Sequence, residues 1–256
     1  HSLAQSEAQV FYKIEDVAWN ADSDLIAIVD NRSTLHILDA NAQEIANFYW
    51  DDSVRSIAWH PLMPSQLAIL SHEQALNIVD VHSETIIQHF DITMFAYDIA
   101  FSPEGDYIVV GQSDRDGFPY TSGYIGVFDA QTAEQIGNYT SVDGRIIQVA
   151  WQPGGHLIAG LTTGEKGEVH IWDAETGQIV GTISQMRTAQ DDELGTYTTG
   201  DIIQFSWLPD GSTLAARDYL NISFYDLTFN LLRQSDYILA YEVSWNPTNN
   251  LIAFSD

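Results

Sequence analysis

Residues 168–183 read EVHIWDAETGQIVGTI. An apolar run closes on Trp172-Asp173, a polar turn follows, and a second run alternates apolar with small or polar residues as far as Ile183. Short runs of β-branched and aromatic residues bounded by turn formers are strands. This stretch therefore predicts two strands joined by a tight turn. Looser versions of its first half stand at LHILDA (35–40), LNIVDV (76–81), IGVFDA (125–130) and ISFYDL (222–227), each with Asp at the equivalent place.

Working outward, three more runs surround each copy. An apolar-small-aromatic triplet ends at Trp19, Trp59, Phe101, Trp151, Trp207 and Trp245, at intervals of 40, 42, 50, 56 and 38 residues. Turns built on proline follow five of the six triplets, in WHP, FSP, WQP, WLP and WNP. A second run comes next (LIAIVD, QLAILS, YIVVGQ, LIAGLT, TLAARD, LIAFSD), and after the Asp-terminated third run a fourth closes the unit (EIANFYW, TIIQHF, QIGNYT, QIVGTI). Self-similarity at a period of about 45 residues is the signature of a repeat architecture. Four short antiparallel strands per period, with no useful helical periodicity between them, predict an all-β fold of four-stranded propeller blades. The triplet aromatics are expected to wedge between neighbouring blades.

At these residues the chain resembles the WD-repeat β-propeller family. Trp172-Asp173 matches the closing dipeptide of that family, and Asp39, Asp80, Asp129 and Asp226 occupy the equivalent place in other repeats. The resemblance runs from about Gln9 to Asp256. It implies a non-catalytic scaffold that docks proteins or peptides on its loop faces. Five repeats are complete and a sixth stops at LIAFSD, after its second strand, while AQVFYK (8–13) reads as a fourth strand without a blade. The expected organisation is a single propeller domain over 1–256, with six repeats visible and six or seven blades in the natural protein. Its C-terminal end is read as incomplete.

The 256 residues are 45% hydrophobic, enough for a large core, and carry no cysteine, which excludes disulfides and thiolate chemistry. With 36 acidic and 9 basic residues the formal net charge is −27. That field repels nucleic acid and anionic membrane surfaces and favours a basic partner. No window is apolar enough to span a membrane, so no membrane insertion is expected. No signal peptide is read in the chain, and the compartment stays open between cytoplasmic and exported.

No nucleophile elbow, zinc-protease pair, phosphate-binding loop or dinucleotide fingerprint is present. No cofactor, metal or catalytic residue is expected. His60 with His72 is a weak metal pair, and DRDG (114–117) begins like a calcium loop but lacks the distal glutamate such loops need. The informative feature is where the repeat is interrupted. GQSDRDGFPYTSGY (111–124) lengthens a turn between second and third strands, and SQMRTAQDDELGTYTTG (184–200) lengthens a link to the next blade. In a meander these two connections share one face, and long loops in compact domains are often functional. The predicted partner site is therefore Asp114, Arg115, Asp116, Phe118 and Tyr120 with Asp191, Asp192, Glu193 and Tyr197, and its occupant a basic protein or peptide. Two alternatives stand beside it. One is a propeller hydrolase or lyase with a channel-mouth site, to which Arg217-Asp218 would contribute. The other is a structural subunit of a larger assembly.

Overall fold

A computed structural model of the chain describes residues 13–50, 52–72, 75–114, 122–163, 167–184, 187–191, 195–199, 201–219, 221–235, 242–245 and 252–255. The chain divides into two compact units, residues 1–89 and 90–256. Strands account for the regular structure, and no helix occurs among the described residues.

In the first unit, β1 (Ile14–Trp19), β2 (Leu25–Asp30), β3 (Thr34–Asp39) and β4 (Glu44–Tyr49) form one four-stranded sheet. A second contains β5 (Val54–Trp59), β6 (Gln66–Ser71), β7 (Ala75–Asp80) and β8 (Thr85–Asp91), the last strand running past the boundary at residue 89. The second unit holds three more such sheets. They are β9 (Phe95–Phe101), β10 (Tyr107–Ser113), β11 (Ser122–Asp129) and β12 (Gln135–Asp143); β13 (Arg145–Trp151), β14 (Leu157–Thr163), β15 (Glu168–Asp173) and β16 (Ile179–Ser184); and, after a hairpin of β17 (Arg187–Asp191) and β18 (Gly195–Thr199), β19 (Gln204–Trp207), β20 (Leu214–Arg217), β21 (Ile222–Tyr225) and β22 (Leu231–Gln234). β23 (Glu242–Trp245) pairs with β24 (Ile252–Ser255), the first two strands of the sixth repeat. Every four-stranded sheet keeps its strands in chain order, as a meander must. These are the propeller blades the repeat predicts.

Within each unit the core lies between consecutive blades. In the first unit Leu35, Ile37, Leu67 and Ile69 are at most 1% exposed and pack in one cluster with Val54, Ile57 and Trp59. Trp59 acts as the expected wedge, 7% exposed, with its Nε1 donating to Ala18 O at 2.9 Å. Trp19 does not. It is 53% exposed, with Val17 at 54%, and among the described residues of that unit no sheet precedes β1 to cover its face. Trp207 (5%) and Phe101 (9%) are buried, whereas Trp151 is half-buried and stacks on Tyr107 at 6.5 Å.

Two bulges recur. In the first strands an extra residue intrudes at Glu15, Arg55, Tyr97 and Ile147. In the fourth strands the extra residue is Ile45, Ile136, Val180 or Leu232. Each of these four aliphatics is about half exposed, from 48% to 57%. A bulge twists an edge strand and interrupts its row of pairing groups, which deters sheet-to-sheet association.

Candidate functional site

Both sequence insertions belong to the second unit, and topology sends them to one end of it. The β10–β11 turn and the β16–β19 link lie at the end opposite the β13–β14 and β15–β16 turns. The second insertion is a hairpin rather than the plain loop its length suggests. Arg187 pairs with Thr199, Ala189 with Tyr197 and Asp191 with Gly195. The reason is local: the threonine-rich and aromatic run TYTT has high strand propensity. The chain after the hairpin is tied to the β14–β15 turn. Gly167 N donates to Asp201 Oδ1 (3.2 Å), and Ile202 N donates to Gly167 O (3.1 Å).

Asp114 closes the β10–β11 ladder. Its N donates to Ser122 O at 3.1 Å, and its Oδ1 accepts from Ser122 N at 2.9 Å. One carboxylate oxygen of this predicted contact residue thus serves the backbone. Arg115, Asp116, Phe118 and Tyr120 lie outside the described residues, as do Asp192 and Glu193. Asp191 and Tyr197 are placed by their strands.

The Asp at the end of each third strand has a consistent structural task. Asp39 Oδ1 accepts from Asn41 N and Gln43 N (both 2.9 Å), Asp129 Oδ1 from Gln131 N and Thr132 N (2.9 and 2.7 Å), and Asp226 Oδ1 from Thr228 N and Asn230 N (2.9 and 3.0 Å). Asp80 adds the hydroxyl of Ser65 at 2.7 Å, and Asp173 the hydroxyl of Thr176 at 2.8 Å. Hydrogen bonds to an ionised carboxylate favour that form. Accordingly all five carboxyls are held below their ordinary value, by Gln43 N at Asp39, Ser65 at Asp80, Thr132 N at Asp129, and the threonine hydroxyls at Asp173 and Asp226. The aspartates fix the turn between third and fourth strands.

Three residues before each of these aspartates sits a second repeated position: His36, Asn77, Gly126, His170 and Ser223. Four of them bond to the fourth strand of their own sheet. His36 Nδ1 lies 3.0 Å from Glu44, Asn77 Oδ1 2.8 Å from His89, His170 Nδ1 3.1 Å from Thr182, and Ser223 Oγ accepts from Gln234 at 2.7 Å. His36 also has Asp30 Oδ2 at 3.7 Å, so its ring bridges two carboxylates. Burial holds the His170 imidazole below its ordinary value. These are struts between strands.

The weaker sequence candidates resolve similarly. His60 Nδ1 accepts from Leu62 N and Met63 N at 3.1 Å, while His72 Nδ1 lies 2.7 Å from the Arg55 guanidinium. The two histidines sit at opposite ends of β6, roughly 20 Å apart at strand rise. Among the described residues no group of three or more His, Asp or Glu is placed to hold a metal. Asp218 is 3% exposed and takes Asn221 N at 2.6 Å, while Arg217 Nε donates to Gln204 at 3.3 Å.

One set of residues escaped the sequence reading. The polar residue just before a triplet reaches the next blade: Asp16 accepts from Ile57 N (2.8 Å), Asp98 from Val149 N (2.8 Å), and Gln148 from Phe205 N (3.1 Å) while donating to Phe205 O (2.9 Å). These bonds satisfy backbone groups on the free edges of β5, β13 and β19. The signal was present, since every described triplet follows a polar residue.

Comparison with known proteins agrees with this architecture. Residues 17–103 and 127–207 match the family model described as the anaphase-promoting complex subunit 4 WD40 domain. WD repeat-containing protein 1 of Bos taurus is 26% identical over 204 residues, covering 75% of this chain and 32% of its own length. The Mus musculus protein of the same name is 27% identical over 214 residues, with the same coverage. The chain thus spans about a third of the length of these relatives. Among solved structures, hydrazine synthase of Kuenenia stuttgartiensis shares 13% identity at a TM-score of 0.74, covering 99% of this chain and 77% of that one. A chain of the mitotic checkpoint complex shares 16% at a TM-score of 0.73, covering 94% and 71%. At these identities the structural likeness speaks for the fold.

Proposed function

The chain belongs to the WD40-repeat family, and from that premise we propose that it is a non-catalytic scaffold that docks a basic protein or peptide partner. Members of this family are typically scaffolds of this kind. The docking face is the end of the second unit that carries both insertions. The observation that carries the reading is their convergence: the β10–β11 turn and the β17–β18 hairpin interrupt neighbouring repeats and leave from the same end. Aromatic side chains at Phe118, Tyr120 and Tyr197 supply rigid contact area, and Asp116, Asp191, Asp192 and Glu193 supply charge. A net charge of −27 steers a basic ligand inward and raises its association rate.

The test exploits the pairing of Asp114 with Ser122. Replacing residues 115–121 by Asn-Gly closes that ladder with a two-residue hairpin turn. The wild-type chain is expected to retain a partner that the shortened chain loses, with both giving the same far-UV circular dichroism. A partner retained equally by both would exclude this face.

A further inference from the structure

At the other end of the second unit, an open groove of about 620 Å³ lies between the β13–β16 and β19–β22 sheets. Its apolar side is built from Leu157, Val180, Leu227 and Phe229, its polar side from His156 and Asp173. We infer that this groove is a second docking site, for an extended peptide segment carrying an aliphatic side chain next to a lysine or arginine.

Three features carry the inference. First, the apolar wall faces solvent. Val180 is the bulged residue of β16, turned outward by the extra residue, and is 48% exposed; Leu227 is 44% exposed.

Second, Phe229 occupies an unfavourable position. The turns between third and fourth strands each hold one residue in the left-handed region: Ala42, Glu84, Ala133, Gly177 and Phe229, with φ from 55° to 68°. Alanine, glutamate or glycine stands at the other four places, whereas a bulky aromatic is strained in that region. Phe229 lies across Gly181 on β16, where any Cβ would collide with its ring. The glycine and the strained aromatic together shape the groove.

Third, the polar side carries one carboxylate, Asp173, with the imidazole of His156 beside it. Asp173 Oδ1 is committed to Thr176, and Oδ2 faces the exposed imidazole of His156 at 3.3 Å. The Thr176 hydroxyl leads the bonds that keep this carboxyl ionised. Among the described residues no lysine or arginine lines the groove. A volume of this size accommodates a few side chains, and charge complementarity then selects a cation beside the aliphatic residue.

The experiment is a selection of phage-displayed dodecapeptides on the full chain, followed by affinity measurements with the synthetic winners. Selected peptides should pair an aliphatic residue with an adjacent Lys or Arg. Val180→Glu and Leu227→Glu should each weaken them by about tenfold or more, the loss of an apolar contact. Asp173→Asn keeps the Thr176 bonds and should slow association and flatten its salt dependence. The Asn-Gly replacement of residues 115–121 should leave these peptides bound, which separates this site from the insertion end. Selection yielding no aliphatic-basic pair, or winners indifferent to both glutamate variants, overturns the proposal. Sedimentation showing a dimer that Val180→Glu dissolves would assign the groove to a second copy of the chain and overturn it equally. Should one glutamate variant fail to fold, the other and Asp173→Asn still decide.

Discussion

Trp19 and Trp59 occupy the same place in consecutive repeats, yet the structure assigns them different costs. Trp59 is 7% exposed and hydrogen-bonded to Ala18 O; Trp19 is 53% exposed. A tryptophan side chain presents up to about 250 Å². At about 25 cal/mol per Å², burial of Trp59 is worth roughly 5–6 kcal/mol and that of Trp19 roughly 3. Truncation leaves the alanine methyl in place, so Trp59→Ala should cost about 3–5 kcal/mol. It also strips Ala18 O of a donor. Trp19→Ala should cost at least about 2 kcal/mol less, a difference of roughly 4–8 °C in Tm for a chain of this size. Both residues belong to the first unit and so report on the same packing. Thermal melts followed by circular dichroism, with urea titrations alongside, measure the two costs. Equal shifts would refute the claim that consecutive blades bury one triplet face and leave the other open.

Further outcomes follow from other contacts. Gly111→Ala should destabilise by about 1–3 kcal/mol, because a Cβ there would stand 2.8 Å from Ile146 O on the adjoining sheet; urea midpoints check this. Asp98→Ala leaves Val149 N without its acceptor and should cost about 1–3 kcal/mol. Asp98→Asn, which keeps an acceptor oxygen, should recover most of that loss in the same titration. Stability should also depend on pH in two windows, readable as Tm from pH 7.5 to 2. His170 is held below 6.5 by burial, so as pH falls past 6.5 the unfolded chain takes up a proton the folded chain refuses, and stability drops. His170→Gln should remove that drop. The five turn aspartates, with folded values below 3.8, contribute stability present above that value and lost as pH falls through their lowered values. Unchanged Tm between pH 5 and 2.5 would contradict this role.

Much of the fold was legible because a strand repeat writes itself twice, in periodicity and in punctuation. LIAIVD became β2 and VHIWDA ended β15 as read, since both faces of an inner strand are buried and leave continuous apolar runs. Burial on the triplet face was less legible. Trp19 and Trp59 sit in near-identical triplets, and among the described residues only Trp59 has a preceding sheet against it. The polar residue before each triplet was visible, but the inter-blade bonds of Asp16, Asp98 and Gln148 lie beside bulges, which redirect a side chain without altering composition. At the candidate site, interruption of the period marked the end from which both insertions leave but gave no hint that 187–199 would pair as a hairpin. The groove was invisible from sequence. Leu157, Val180 and Phe229 come from β14, β16 and the β21–β22 turn, whose meeting depends on how two sheets pack.

The most direct test of the scaffold reading is hydrogen–deuterium exchange of the chain, alone and saturated with a partner retained by the wild-type protein. The account predicts slowed exchange in peptides covering residues 111–124 and 184–200. Protection confined to other segments, with both insertions exchanging as fast as in the free chain, would contradict it.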